Sequence, residues 1–174
     1  MNINSLDAPK KVNDHCLIGS TKVNTINGYT QIKDLVGTEG QVYTINSDGE
    51  RCVRAYRDVR LTQEKAKIIK LIFNDCSELV VTPDHLILTT NGWLEAQDIC
   101  FDDDIVTLEG TIKLSKMLDF GEEDVYNMEV EDTHCFAVTN SNIIVHNCVD
   151  SLRYGCMWLQ PKNKIAKAGI NIGI

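Results

Sequence analysis

Gln41-Val42-Tyr43-Thr44-Ile45-Asn46-Ser47-Asp48-Gly49, with residues 53–59 after it, is the stretch that decides the fold class. Val42 to Ile45 are β-branched or aromatic, types that fit a pleated, half-buried surface. The Asp-Gly step that follows suits the positive φ angles of a hairpin turn. Two strands are therefore expected, with residues 53–59 returning along 41–45. The same texture recurs at 67–73, 78–81, 86–89, 105–108, 125–130, 135–138 and 143–145. Single helical turns are expected at 31–35 and near 96–99. Short strands at this density predict an all-β domain, although local pattern does not give its topology.

Beyond that domain the pattern changes at both ends. Residues 1–15 show no apolar periodicity and include Pro9, so they read as an arm. After residue 147, Val149, Leu152, Cys156 and Leu159 recur at helical spacing until Pro161, and a short, basic, glycine-punctuated tail follows. Neither flank can bury a core of its own. The expected organisation is an upstream flank (1–15), a β domain (16–147) and a downstream flank (148–174).

A chain of 174 residues, 43% hydrophobic and 24% charged, has ordinary globular composition. No apolar run is long enough to span a bilayer, and Met1 to Leu6 lack the basic start and apolar core of a secretory signal. The expected compartment is the cytosol. Seven cysteines, an odd number without a C-x-x-C pair, argue against a disulfide framework and a zinc ribbon. Cys52, Cys76, Cys100 and Cys135 lie in or beside apolar stretches and are expected to be buried, inert thiols. Net charge is −8; the flanks are balanced or basic, so the acidity belongs to the middle segment and disfavours a general grip on nucleic acid. Asp102-Asp103-Asp104 and Glu122-Glu123-Asp124 read as solvated loops.

Chemistry enters with His146-Asn147-Cys148. An Asn side-chain amide can attack its own backbone carbonyl and cleave the peptide bond to the next residue without any outside nucleophile. Alone, the tripeptide also reads as an ordinary turn after a strand. Its company gives it weight. Cys16 opens Cys16-Leu17-Ile18-Gly19-Ser20-Thr21-Lys22-Val23, Val81-Thr82-Pro83-Asp84-His85 lies between, and Val125-Tyr126-Asn127-Met128-Glu129-Val130-Glu131-Asp132-Thr133-His134 precedes the terminal His-Asn-Cys. In order and spacing these resemble the four splicing blocks of inteins, and the resemblance spans Cys16 to Asn147. Gly92-Trp93 and Ala96-Gln97-Asp98-Ile99 add to the match.

That resemblance implies the horseshoe-like all-β Hint fold, in which both ends of the segment meet at one site. It also implies autocatalytic, single-turnover splicing without a cofactor, acting on the chain's own flanking segments. Cys16 attacks the His15 carbonyl to form a thioester; Thr82 binds the carbonyl oxygen, and His85 is the general acid for the leaving nitrogen. Cys148 takes the acyl group, Asn147 closes to a succinimide, and His134 and His146 assist, so that His15 is joined to Cys148. Three positions depart from the family pattern. Leu86 stands where Pro is frequent, Asp102 where a Gly-Asp turn has Gly, and Asn127 where an Asp is usual. Asn127 cannot act as a base and is left out of the catalytic set; Asp132 reads as a turn acid. Residues 109–123 leave no room for a homing endonuclease, so the expectation is a mini-intein. A cleavage-only Hint domain is the alternative, and the Asn-Cys pair speaks against it.

Joined across the domain, Val12-Asn13-Asp14-His15 and Cys148-Val149-Asp150-Ser151-Leu152-Arg153-Tyr154 resemble a signature near the end of phage terminase large subunits. That implies a nuclease fragment in which Asp150 is a ligand for a divalent metal, Mg or Mn. After ligation the partners would be other terminase segments and DNA, in the cytosol of a bacterium or phage-infected host.

Overall fold

The computed structural model describes residues 15–147. The expectations for residues 1–14 and 148–174, Cys148 and Asp150 among them, lie outside the described residues. Among the described residues twelve strands form one sheet. In chain order they begin with β1 (Leu17–Ile18), β2 (Lys22–Thr25), β3 (Gly28–Gln31) and β4 (Gly40–Ile45). A 23-residue strand, β5 (Arg51–Phe73), follows, then β6 (Glu78–Val81), β7 (Leu86–Thr89) and β8 (Gly92–Glu95). The last four are β9 (Asp104–Val106), β10 (Thr111–Val130), β11 (Cys135–Val138) and β12 (Ile143–His146). Both expected helical turns are present as 3-10 turns, at Ile32–Leu35 and Ala96–Asp98.

The hairpin read from residues 41–59 is there, with Tyr43 opposite Val53 and Ile45 opposite Arg51. Gly49 takes the positive φ of +80° that the turn requires. Asn46 Oδ1 closes it by accepting from the backbone N–H of Asp48 (3.0 Å) and Glu50 (2.9 Å).

Two stretches differ from expectation. Residues 53–59 and 67–73 belong to one continuous strand, β5, and the expected spacer 109–123 is largely strand, being part of β10. These two strands pair along their length as an antiparallel ribbon interrupted by register shifts. Much of the ribbon's middle is exposed on both faces. Charged pairs across it, Lys67 opposite Glu122 and Arg57 opposite Glu129, take the place of hydrophobic alternation. Glu122-Glu123-Asp124 and Asp104 are consequently strand residues and not loops, whereas Asp102 does sit in an exposed turn and Asp103 follows it half-buried.

The strands run β11-β12-β7-β9-β10-β1-β6-β5-β4-β2-β3, with β8 paired to β7 off this path, and an added pairing of β11 with β2, Val138 opposite Val23, closes the sheet on itself. Leu17, Leu71, Phe73, Ile87, Met128 and Phe136 fill the interior. Cys135 is buried as expected, but Cys52 is only half-buried, and Cys76 and Cys100 are exposed. The reason is local. Cys76 sits at φ +66° in the tight turn leaving β5, and Cys100 follows a 3-10 turn that already spends its apolar face on Ala96 and Ile99. Among the described residues no helix is long and apolar enough to cross a membrane.

Candidate active site

Register brings the two ends of the domain together. β1 lies between β10 and β6, with Leu17 opposite Tyr126 on one side and Val81 on the other. One residue back along β1 is Cys16, and the antiparallel ladders set Asn127 and Thr82 beside it. On the other flank Cys135 faces His146 and Val145 faces Ile87. The same counting carries Asn147 toward His134 and His85.

Thr82 ends the ladder of β6. Its hydroxyl oxygen accepts from Cys16 N–H at 3.1 Å, and its own N–H donates to Cys16 O at 3.1 Å. The sequence reading put Thr82 on the His15 carbonyl oxygen. That oxygen accepts a hydrogen bond from Asn127 Nδ2, at 2.8 Å. Asn127 lies inside the ladder register and Thr82 at its end, so the amide faces the carbonyl and the hydroxyl faces the nitrogen.

Thr82-Pro83-Asp84-His85 is a tight turn closed by His85 N–H to Thr82 O (3.0 Å). It is pinned from outside by Ala96 N–H to His85 O (2.8 Å) and Gln97 N–H to Pro83 O (2.9 Å). That bracing leaves His85 fully buried. Burial holds its imidazole well below its ordinary pKa, with repulsion from His15 and His146 adding to the effect. The backbone of Cys16 and His15 beside the ring pulls the other way, although neither ring nitrogen is placed for a hydrogen bond of good geometry.

All four histidines of the chain gather here. The His15 ring stands edge-on to His85 at 6.2 Å and to His146 at 6.4 Å, and His146 stands edge-on to Trp93 at 5.1 Å. His146 is pushed down to about 4, first by burial and then by His15 and His134, against a hydrogen bond to the backbone of Asn147. His134 adopts φ +51° and accepts on its carbonyl oxygen from Asn147 N–H at 2.9 Å. Oriented by its neighbours, the buried Asn147 amide donates from Nδ2 to that same carbonyl and accepts at Oδ1 from Val130 N–H at 2.9 Å. Asp132 lies in an exposed turn, where it pairs with Arg54 at 3.5 Å.

Cys16, Thr82, His85, His134, His146 and Asn147 are thus gathered in one largely buried cluster, and Cys148 and Asp150 lie outside the described residues. The sequence leaves Asn127 out of the catalytic set, marks Trp93 only as part of the family match and not as a site residue, gives no sign of the Val130 amide, and presents His15 only as the acyl group. For Asn127 a signal existed in its place beside Tyr126, but only the pairing of β1 with β10 turns it toward the His15-Cys16 peptide. Among the described residues no three His, Cys, Asp or Glu side chains are grouped to hold a metal ion.

No family model matches the chain. Among curated proteins, a probable translation initiation factor IF-2 of Methanocaldococcus jannaschii is 32% identical over 104 residues, 49% of this chain and 9% of that protein. A DNA gyrase subunit of Synechocystis sp. is 30% identical over 108 residues, 58% of this chain and 10% of its own length. The chain therefore spans about a tenth of the curated relatives it matches. Among solved structures, the DnaB intein from Synechocystis sp. superposes with a TM-score of 0.70 at 19% identity, covering 78% of this chain and 99% of that one. The DnaX mini intein from Spirulina platensis superposes at 0.67 with 24% identity, covering 76% and 99%. The fold is that of the inteins, the Hint fold.

Proposed function

We propose that the chain is a self-splicing mini-intein that excises residues 16–147 and joins His15 to Cys148. The observation that carries this reading is the convergence of the His15-Cys16 peptide and Asn147 on one cluster of histidines. A chain that cleaves itself at both ends and reseals needs its two scissile sites within reach of each other, and proximity of that kind replaces an encounter in solution.

In the first step the Cys16 sulfur adds to the His15 carbonyl carbon. His85, kept neutral by burial, suits a shuttle that takes the thiol proton and returns it to Cys16 N as the C–N bond breaks. Thr82 holds that nitrogen. The acyl group then passes to Cys148, the Asn147 side-chain nitrogen closes on its own carbonyl with His146 and His134 assisting, and an S-to-N shift restores a peptide bond. Each step moves a proton and exchanges one acyl bond, with nothing oxidised or reduced.

The flanks extend the proposal. The sequence joined at His15 and Cys148 supports a terminase host, in which Asp150 would bind a divalent metal and the ligated protein would meet DNA. A cytosolic setting goes with both readings. Mass spectrometry of freshly made protein tests splicing directly. The expected result is a ligated product of the two flanks plus free 16–147; cleaved pieces without ligation would support the cleavage-only alternative, and an intact chain would refute both.

A further inference from the structure

The position where the resemblance implies an Asp, and where this chain has Asn127, holds the best-oriented polar group on the scissile bond. Asn127 is 2% exposed, and its side chain is fixed at both ends. Oδ1 accepts from Met128 N–H at 2.7 Å, which settles which way the amide faces and leaves Nδ2 to donate to the His15 carbonyl oxygen at 2.8 Å. Neighbouring geometry keeps it there, because Leu17 pairs with Tyr126 on the same ladder.

We infer that Asn127 is a catalytic residue of the first step, a neutral donor that stabilises the oxyanion formed on His15 O when Cys16 attacks. This deepens the splicing proposal and rests on it. As the C–S bond forms, the carbonyl π pair moves onto His15 O, and the bond from Asn127 strengthens with the growing charge. When the intermediate collapses, that pair re-forms the carbonyl, the C–N bond breaks, and the nitrogen takes the proton that left the thiol. A carboxylate at residue 127 has no proton to donate and would set negative charge against the oxyanion. Restoring the residue that the family resemblance implies should therefore harm this chain.

Asn127→Asp makes the test. It keeps the size of the side chain and an oxygen for Met128 N–H. The readout is thiol-induced cleavage at residue 16 in an Asn147→Ala background, expressed as the ratio of the Asp variant to its Asn parent across pH. Where the new carboxyl is ionised the ratio should fall by about 10², the usual cost of one oxyanion donor. As pH drops the carboxyl regains a proton and can donate again, so the ratio should climb tenfold per pH unit toward one. A ratio flat with pH, at any level, would overturn the assignment. Titration of His85 and His146 is common to the Asp variant and its Asn parent and is divided out in the ratio.

A second measurement needs no activity. In a Cys16→Ala chain, carbonyl-13C histidine with 15N alanine labels only the peptide between residues 15 and 16. Its carbonyl resonance should move upfield on Asn127→Ala as the hydrogen bond is lost, and an unchanged resonance would also overturn the assignment. If the parent chain neither cleaves nor ligates while the carbonyl shift is seen, the splicing reading has failed and the hydrogen bond has not.

Discussion

A buried imidazole with no hydrogen bond of good geometry is costly to keep, and His85 is such a group. A histidine retained only for packing has no need of that cost, since a Leu or Met would fill the same space. His85→Ala is expected to slow thioester formation by about 10²–10⁴, the usual loss for a positioned proton-transfer group. The rate of thiol-induced cleavage measures it, and a change within twofold would make His85 a structural residue. Asn147 makes a different demand. Its amide is held between His134 O and Val130 N–H, so it must leave these partners to reach its own carbonyl. Asn147→Ala should abolish release at residue 147 while leaving thiol-induced cleavage at Cys16 intact. Ligated product from that variant, seen by mass spectrometry, would contradict the assignment.

Among the elements, β1 is two residues long and yet sets the whole first site, because its register with β10 and β6 decides which side chains face Cys16. A one-residue slip would turn Asn127 to the opposite face. Gly19, just past β1, guards that register: a Cβ there would lie 2.9 Å from the Tyr126 ring. Gly19→Ala is expected to cost about 1–3 kcal/mol, as overpacking does, and to slow the first step by displacing Asn127's neighbour. Denaturant unfolding of a Cys16→Ala, Asn147→Ala chain checks the first part, and an unchanged midpoint would contradict it. Elements of this kind mark the limit of sequence reading. The runs rich in Val and Ile at β4, β6, β7, β11 and β12 were legible because each buries apolar side chains. Of the ribbon of β5 and β10 only 53–59, 67–73 and 125–130 were, since charged pairs and a backbone ladder hold the rest. Of the site, Cys16, Thr82, His85, His134, His146 and Asn147 were legible as residues, whereas Thr82's actual partner and the orientation of Asn127 depend on pairings between strands far apart in sequence.

At the scale of the molecule, the histidine cluster ties stability to acidity. His85 and His146 are both held below 6.5, so the unfolded chain takes up protons that the folded chain refuses. Their contribution is fully present above pH 6.5 and is lost as pH falls from there toward the folded value, about 4 for His146. For His146 alone the full loss is about 3 kcal/mol, and His85 acts in the same direction. Thermal unfolding of the splicing-inactive chain should show a melting temperature that falls steadily between pH 7 and pH 4.5; a flat profile would mean that the two rings are solvated. The meeting of the domain's ends has another consequence, one of polymer statistics. A host protein carrying this insertion feels a tether only as long as the gap between His15 and Asn147, whatever the contour length between them. Once the domain folds, the conformational entropy of holding two distant points of the host chain together has already been met by the insertion. The host's own folding then proceeds as though a pendant hung from a single link, and the same shortness of tether gives the two flanks a high effective concentration for each other.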